Sequence, residues 1–403
     1  MMKQKRLMLL GGIRYLLPVI EAAHKQGYYV ITADYIPDNI AHRYSDEYVN
    51  VSIVDREAVL QAAMDKRIDG IMSFGVDPGV VSAAYVQDKL GLPAFGPLES
   101  VEILQNKDRF RSFLYANGFN VPKCKRYSSI PEAIEDACSW HYPVIVKPTD
   151  SAGSKGVSRV DEGNYLLTAL HKAFDTSISR TIVIEEFIEK RGCSSDTDCF
   201  LDNGQLVFTS FSSQRFDVDA LNPYTPAAYS WPSTFSEQEE QYLKKELQRL
   251  LSLLRMRTGV YNVETRVGND GTPYLMEVTP RGGGNRLSEV LRLATGVDMI
   301  TASIRDCVGD SICRLTQKPF IGYWAEVILH GEKLGRFDRI VIDKKYKPFV
   351  YELDLWVERG DTINSFQGAN DAIGTVVLRF SDREEMEIAL SCVKQWLQVI
   401  VQE

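Results

Sequence analysis

The chain of 403 residues is 44% hydrophobic and 25% charged, with a net charge of −8. Those are ordinary proportions for globular domains, and the length makes room for two or three of them. An acidic balance without a basic patch argues against nucleic acid and acidic membrane surfaces as partners, and no apolar run reaches the length of a membrane span.

The opening stretch MMKQKRLMLLGG starts with charge, but its apolar run is too short for a secretory leader and runs straight into a strand and turn. The seven cysteines form no CxxC, and the five histidines stand singly. Both facts argue against zinc and for free thiols in a reducing cytoplasm.

From residue 6 to about 96, strand and helix patterns alternate. Strands are expected at 7–10, 28–33, 49–54 and 70–74, with a helical stripe through Leu16, Leu17, Ile20 and Ala23. This rhythm implies a parallel, Rossmann-like sheet. Gly11 and Gly12 follow the first strand and Asp34 ends the second, but G-x-G-x-x-G is missing, which excludes a dinucleotide fingerprint. Gly11, Gly12, Gly75 and Asp77 stand at carboxyl ends of strands, where such sheets bind ligands.

Lys107 opens a helix over 108–117, an unfavourable place for a cation beside the helix dipole. A helix at 131–141 precedes the strand YPVIVK, which ends at Lys147. The following PTDSAGSKG is small, polar and glycine-bearing, and its amides and hydroxyls could cradle phosphates. It is not a P-loop, because G-x-x-x-x-G-K-[ST] is absent.

TIVIEEF, at 181–187, is an apolar strand ending in two acids, and a hairpin over Asn203-Gly204 follows. Residues 217–233 read as a loop, entered by Arg215, which could hold an anionic substrate. Ser236, with Glu239 in capping-box position, starts an amphipathic helix running to about residue 256.

The stretch 259–286, GVYNVETRVGNDGTPYLMEVTPRGGGNR, reads as two strands about a tight turn. With Asn269-Asp270 as the loop, Glu264 opposes Leu275, and Glu277 lies diagonally on the same face, roughly 7–8 Å away at the backbone. Asn262 would then face Glu277. Two carboxylates with no His or Cys nearby suit Mg²⁺ shared with substrate phosphates. Arg281, beside three glycines, suits bidentate capture of a phosphate or carboxylate with close backbone approach. Two helices follow at about 286–294 and 298–308, then strand patterns and a final helix at 384–399.

Taken in order, Lys107, Lys147, the 149–156 loop, IEEF and E…E-V-T-P-R resemble the ATP-grasp superfamily over roughly residues 1–310. Biotin carboxylase, the carbamoyl-phosphate synthetase large chain, the formate-dependent phosphoribosylglycinamide formyltransferase and bacterial L-amino-acid ligases are similar members. The resemblance implies a mixed α/β and α+β multidomain chain. Its parts would be a Rossmann-like domain at 1–96, a two-lobed ATP-grasp domain at 97–315 with a lid lobe at about 121–188, and a small α+β region at 316–403. That last region would complete the substrate pocket or form a homodimer contact.

The cofactors implied are ATP and Mg²⁺, two ions, with Mn²⁺ as an alternative. Lys107 and Lys147 match the lysines on the nucleotide phosphates, and Lys147 and Arg281 the residues acting in catalysis. Ser151, Ser154, Lys155 and Gly156 match the loop over the phosphates. Glu185, Glu186, Phe187 and Ile188 match the adenine-reading linker, and Glu264, Glu277 and Thr279 the metal ligands. Asn often stands where Thr279 does, and Ser194 stands where a ribose-binding Glu is common. Asp196 and Asp198 are the substitutes.

The activity implied is activation of a small carboxylate as an acyl phosphate, followed by coupling to an amine. The alternatives are carboxyphosphate or formyl-phosphate chemistry and a non-catalytic ATP-binding regulator.

Overall fold

The computed structural model describes residues 4–150 and 155–402. The chain divides into two compact units, one comprising residues 1–126, 197–210 and 236–318, the other residues 127–196, 211–235 and 319–403.

In the first unit, four parallel strands lie in the order Glu47–Asn50, Tyr29–Asp34, Arg6–Leu10, Gly70–Ser73. The two inner strands are buried on both faces, as a parallel sheet covered by helices requires. Met8, Leu10, Ile31, Ala33 and Ile71 form its core with Val59 of the helix Arg56–Lys66 and Ala83 and Val86 of the helix Val80–Leu90. The Rossmann-like winding expected from the alternating pattern is present.

A second sheet in this unit has the order Gln205–Phe208, Ser195–Asp202, Gly259–Val267, Pro273–Thr279. Asn203 and Gly204 both adopt positive φ, 51° and 77°, as a two-residue hairpin turn demands. Ser236 and Glu239 make the reciprocal capping box, and the helix they start, Glu237–Leu253, buries Leu243, Leu247, Leu250 and Leu251.

In the second unit, Val144–Pro148 pairs antiparallel with both Ser158–Val160 and Ile182–Glu186, and the helix Leu166–Thr176 covers one face through Leu166, Ala169, Leu170 and Ala173. A five-stranded antiparallel sheet runs Ser213–Phe216, Pro226–Trp231, Tyr323–His330, Ala372–Phe380, Val350–Leu355. Three further strands, Thr362–Ile363, Gly335–Ile342 and Leu397–Gln402, close a small sheet.

Two expectations fail here. Residues 217–233 are not one loop, because Pro226–Trp231 pairs on both edges with neighbouring strands. The final helix stops early. It spans Arg383–Ser391, a single turn Val393–Trp396 follows, and Leu397–Gln402 is a strand against Gly335–Ile342. Val399, Ile400 and Val401 are β-branched, and a waiting partner strand outweighs a weak helical period.

Candidate active site

Glu264 and Glu277 stand on the paired strands Gly259–Val267 and Pro273–Thr279 of the first unit. The register differs from the one expected. Val267 opposes Pro273 across a turn of residues 268–272, closed by hydrogen bonds from Gly268 N to Thr272 O and from Gly271 N to Gly268 O. Thr265 opposes Leu275, but Glu264 opposes Glu277 directly, so Met276 is an extra residue in a β-bulge. Asn262 faces Thr279 rather than Glu277.

Residues two apart share a face of a strand. Asn262, Glu264, Glu277 and Thr279 therefore line one face, and both glutamates are half-buried. Thr279 is 1% exposed, and its Oγ1 has no hydrogen-bond partner among the described residues. Two carboxylates and an unsatisfied hydroxyl form a hard-oxygen donor set that fits a magnesium ion. Among the described residues no group of three or more His, Cys, Asp or Glu could hold a metal. The pair thus leaves most of an octahedral shell to water and to oxygens of a ligand.

Two residues beyond Thr279, Arg281 is fixed from several sides. Its Nε and Nη2 donate to Asp77 Oδ1 at 2.7 and 2.6 Å, and its Nη1 to the Gly282 carbonyl at 2.9 Å. Asp77 follows the last parallel strand, so a residue at the expected crevice in fact orients the arginine. Arg215 is also taken. Its guanidinium lies on Glu387 at 2.7 Å and on Ser230 Oγ at 2.8 Å, so its charge is already matched rather than held ready for a substrate.

The glycines after Arg281 serve packing. A Cβ on Gly282 would lie 2.1 Å from Phe74 Cζ, and one on Gly283 would lie 2.5 Å from Leu287 Cδ1 and 2.7 Å from Asn262 Nδ2. The close backbone approach read from the sequence is to protein side chains. Gly75 N donates to the Gly282 carbonyl at 2.9 Å, tying the same two loops together.

Asp198 is buried and makes the frame. It accepts from Gly283 N at 2.8 Å, Ser288 Oγ at 2.5 Å and Asn262 Nδ2 at 3.2 Å. Burial pushes its carboxyl above the usual carboxylate range, and the three hydrogen bonds pull the other way. This removes Asp198 from the ribose candidates, because its oxygens are spent inside. Asp196 keeps contact with Tyr229 Oη at 3.2 Å and Gln214 Nε2 at 3.4 Å.

Lys107 is the first residue of the helix Lys107–Ala116, whose cap Asn106 accepts from Arg109 N at 3.0 Å. Arg111 of that helix donates to the carbonyl of the bulged Met276 at 2.8 Å, which pins the helix to the acid-bearing strand.

In the second unit, Lys147 and Glu185 form an ion pair of 2.8 Å, with side chains 12% and 3% exposed. Glu185 was expected only in an adenine-reading stretch, yet its carboxylate faces the strand lysine. Glu186 is exposed, Phe187 lies under Arg159 with 4.2 Å from guanidinium carbon to ring centre, and Ile188 is buried. Lys155 is exposed in a turn and Gly156 is buried at φ 74°. Ser151 and Ser154 lie outside the described residues.

Asp77, Asn262, Asp198 and Arg111 escaped the sequence reading as parts of this frame. Asp77, Asn262 and Asp198 had a signal that pointed to other roles or partners, and Arg111 had none.

Residues 140–289 match the ATP-grasp domain family. Over that stretch the chain is similar to an ATP-grasp domain. The match includes Lys147, Glu185, Glu264, Glu277, Thr279 and Arg281, while Lys107 precedes it.

The carbamoyl phosphate synthase large chain of Thermotoga neapolitana is 24% identical over 302 residues, which are 74% of this chain and 27% of that one. The chain thus spans about a quarter of that relative's length. The L-amino acid ligase of Bacillus licheniformis superposes with a TM-score of 0.83 at 21% identity, each chain covered at 100%. The biotin carboxylase domain of 2-oxoglutarate carboxylase from Hydrogenobacter thermophilus, solved as a dimer with MgADP, ADP and bicarbonate, gives 0.75 at 16% identity, covering 99% of this chain and 91% of that one. At such identities the likeness establishes the ATP-grasp fold across the whole chain. Among the described residues no helix is long and apolar enough to cross a membrane.

Proposed function

We propose that the chain is a Mg-ATP-dependent ligase that activates a small carboxylate as an acyl phosphate and couples it to an amine, releasing ADP and phosphate. The observation that carries this reading is the face on which Glu264 opposes Glu277, with the unsatisfied Thr279 hydroxyl beside them and Arg281 two residues on. Glu264, Glu277 and Thr279 would hold the magnesium, which neutralises charge on the phosphate oxygens when bound.

Arg281, oriented by Asp77, steadies the transferred phosphoryl group by charge. Lys107 and Lys147 take nucleotide phosphates, and Ser151, Ser154, Lys155 and Gly156 cover them. Glu186, Phe187 and Ile188 receive the adenine, and Glu185 sets the position of Lys147. The substrate carboxylate attacks the γ-phosphorus and ADP leaves. The amine then attacks the acyl carbon and phosphate leaves, so the protein contributes position and charge and needs no covalent nucleophile.

The Bacillus ligase's full-length superposition supports an amino acid as the carboxylate. The net charge of −8 speaks against nucleic acid as a partner, and the seven free cysteines fit a reducing cytoplasm.

The deciding experiment is ADP release from Mg-ATP across a panel of amino acids and small carboxylates, with and without amine acceptors. Release that needs one carboxylate and rises with one acceptor confirms the ligase. A second reading rests on the carbamoyl phosphate synthase relatives and predicts release driven by bicarbonate instead. Tight Mg-ATP binding with no release across the panel would leave a non-catalytic binder.

A further inference from the structure

Inside the first unit, Pro280 and Arg281 form part of the wall of a cavity of about 30 Å³. That is room for about two bodies the size of water. Ser73, Gln87, Thr258, Ser303 and Asp306 supply its polar lining.

The chemistry of this lining is one-sided. Gln87 Nε2 donates to the Ile71 carbonyl at 2.9 Å, while Gln87 Oε1 has no partner among the described residues. Ser303 Oγ has none either, and the two residues are only 2% and 5% exposed. Ser73 spends its hydroxyl proton on the Val76 carbonyl and so presents lone pairs. The Cys307 thiol, also at the wall, donates to the Ile71 carbonyl at 3.2 Å.

Asp306 has no ion pair or side-chain hydrogen bond among the described residues. Burial, then the charge of Asp202, pushes its carboxyl up to about 6, so it is ionised at neutral pH without a cation to match it. An amide oxygen, hydroxyl oxygens and an unmatched carboxylate with no committed cation favour an occupant that brings positive charge or hydrogen-bond donors.

We propose that this cavity binds a weakly hydrated monovalent cation, potassium or ammonium, held by Asp306, Gln87 Oε1 and Ser303 Oγ. One carboxylate among neutral oxygens suits such an ion better than Mg²⁺, which sheds its water reluctantly. Its lining shares no residue with the Glu264–Glu277 face, and Pro280 and Arg281 form part of its wall, so its occupant would steady the segment that carries Arg281.

The test uses the whole chain without nucleotide, so its outcome is separate from that of the ligase reading. Thermal melting is followed at a pH well above the Asp306 transition, in potassium, ammonium and choline chloride at matched ionic strength. Crystals soaked in rubidium salt are examined for an anomalous peak in the cavity.

The wild type should melt higher in potassium or ammonium than in choline, and rubidium should appear between Gln87 and Asp306. Stabilisation by potassium and ammonium alike assigns a simple cation, and by ammonium alone a ligand bound through its N–H groups. Asp306→Asn should remove the preference among salts, and in choline it should melt above the wild type because it deletes a partly desolvated, unmatched charge. Equal melting in all three salts with no anomalous peak would mean that water alone fills the cavity, and would overturn the proposal. So would a salt preference that survives in Asp306→Asn.

Discussion

Replacing Gly282 by alanine should be among the most damaging single-methyl changes in this protein. The added Cβ would stand 2.1, 2.2 and 2.7 Å from the Cζ, Cε2 and Cε1 atoms of Phe74. Ordinary carbon contacts begin near 3.5 Å, so ring and backbone must separate by more than about 1 Å. Neither can move easily. Phe74 is buried, the Gly282 carbonyl accepts from Gly75 N at 2.9 Å, and the preceding Arg281 is bound to Asp77.

Overpacking costs typically 1–3 kcal/mol, and a clash with both sides anchored belongs at the top of that range, about 3 kcal/mol. Phe74→Ala alone should cost about 3–5 kcal/mol through the cavity it leaves. In the double variant the new methyl occupies part of that space, so the two costs should fall short of additivity by about 2 kcal/mol. Urea unfolding followed by circular dichroism measures all three variants. A Gly282→Ala protein within about 0.5 kcal/mol of wild type, or a strictly additive double variant, would refute the steric argument.

Glu277→Gln should cut ADP release at least about 100-fold while leaving the urea midpoint unchanged, since it removes a proposed metal ligand from a polar face; turnover at the wild-type rate would sink the metal assignment. Asp77→Asn should lower kcat about tenfold with little change in ATP affinity, because Arg281 loses its anchor but stays in place. An unchanged kcat would show that Arg281 needs no orientation from Asp77. Glu185→Gln should destabilise by about 2–3 kcal/mol by leaving a largely enclosed ammonium without its carboxylate. Combined with Lys147→Ala it should cost less than the sum, and additive losses would show the pair is not coupled. Arg111→Leu strands the Met276 carbonyl and should cost about 1–3 kcal/mol, with weaker nucleotide binding as the Lys107 helix loosens; intact stability would mean another group satisfies that carbonyl.

Much of the scaffold was legible because local chemistry and tertiary structure agree there. Asn203-Gly204 makes the hairpin turn it advertises, and Ser236 with Glu239 makes the capping box. Legibility failed where a partner distant in sequence decides. Leu397–Gln402 is a strand because Gly335–Ile342 offers its edge, and Pro226–Trp231 because two strands flank it. Asp198 stood as a substitute for the ribose-binding acid, and only the fold shows that Gly283, Ser288 and Asn262 enclose it. The need for three glycines in a row was visible, but its cause was not. Phe74, Leu287 and Tyr15 are the bodies that fill the space, and no spacing rule connects Phe74 or Tyr15 to residues 282–284.

The acid pair shows how a correct grouping can rest on a wrong register. A two-residue loop would have put Glu277 diagonal to Glu264 on one face. The actual turn shifts the pairing by one residue, so that Thr265 meets Leu275. Continued regularly, that register would have set Glu264 against Met276 and sent Glu277 to the opposite face, since a slip of one residue inverts a strand. The bulge at Met276 absorbs the extra residue and restores the parity, bringing Glu277 directly opposite Glu264. It also leaves the Met276 carbonyl to be taken by Arg111. One irregularity therefore does two jobs. It aligns the carboxylates with Thr279, and it gives the helix that begins at Lys107 its attachment to the same strand.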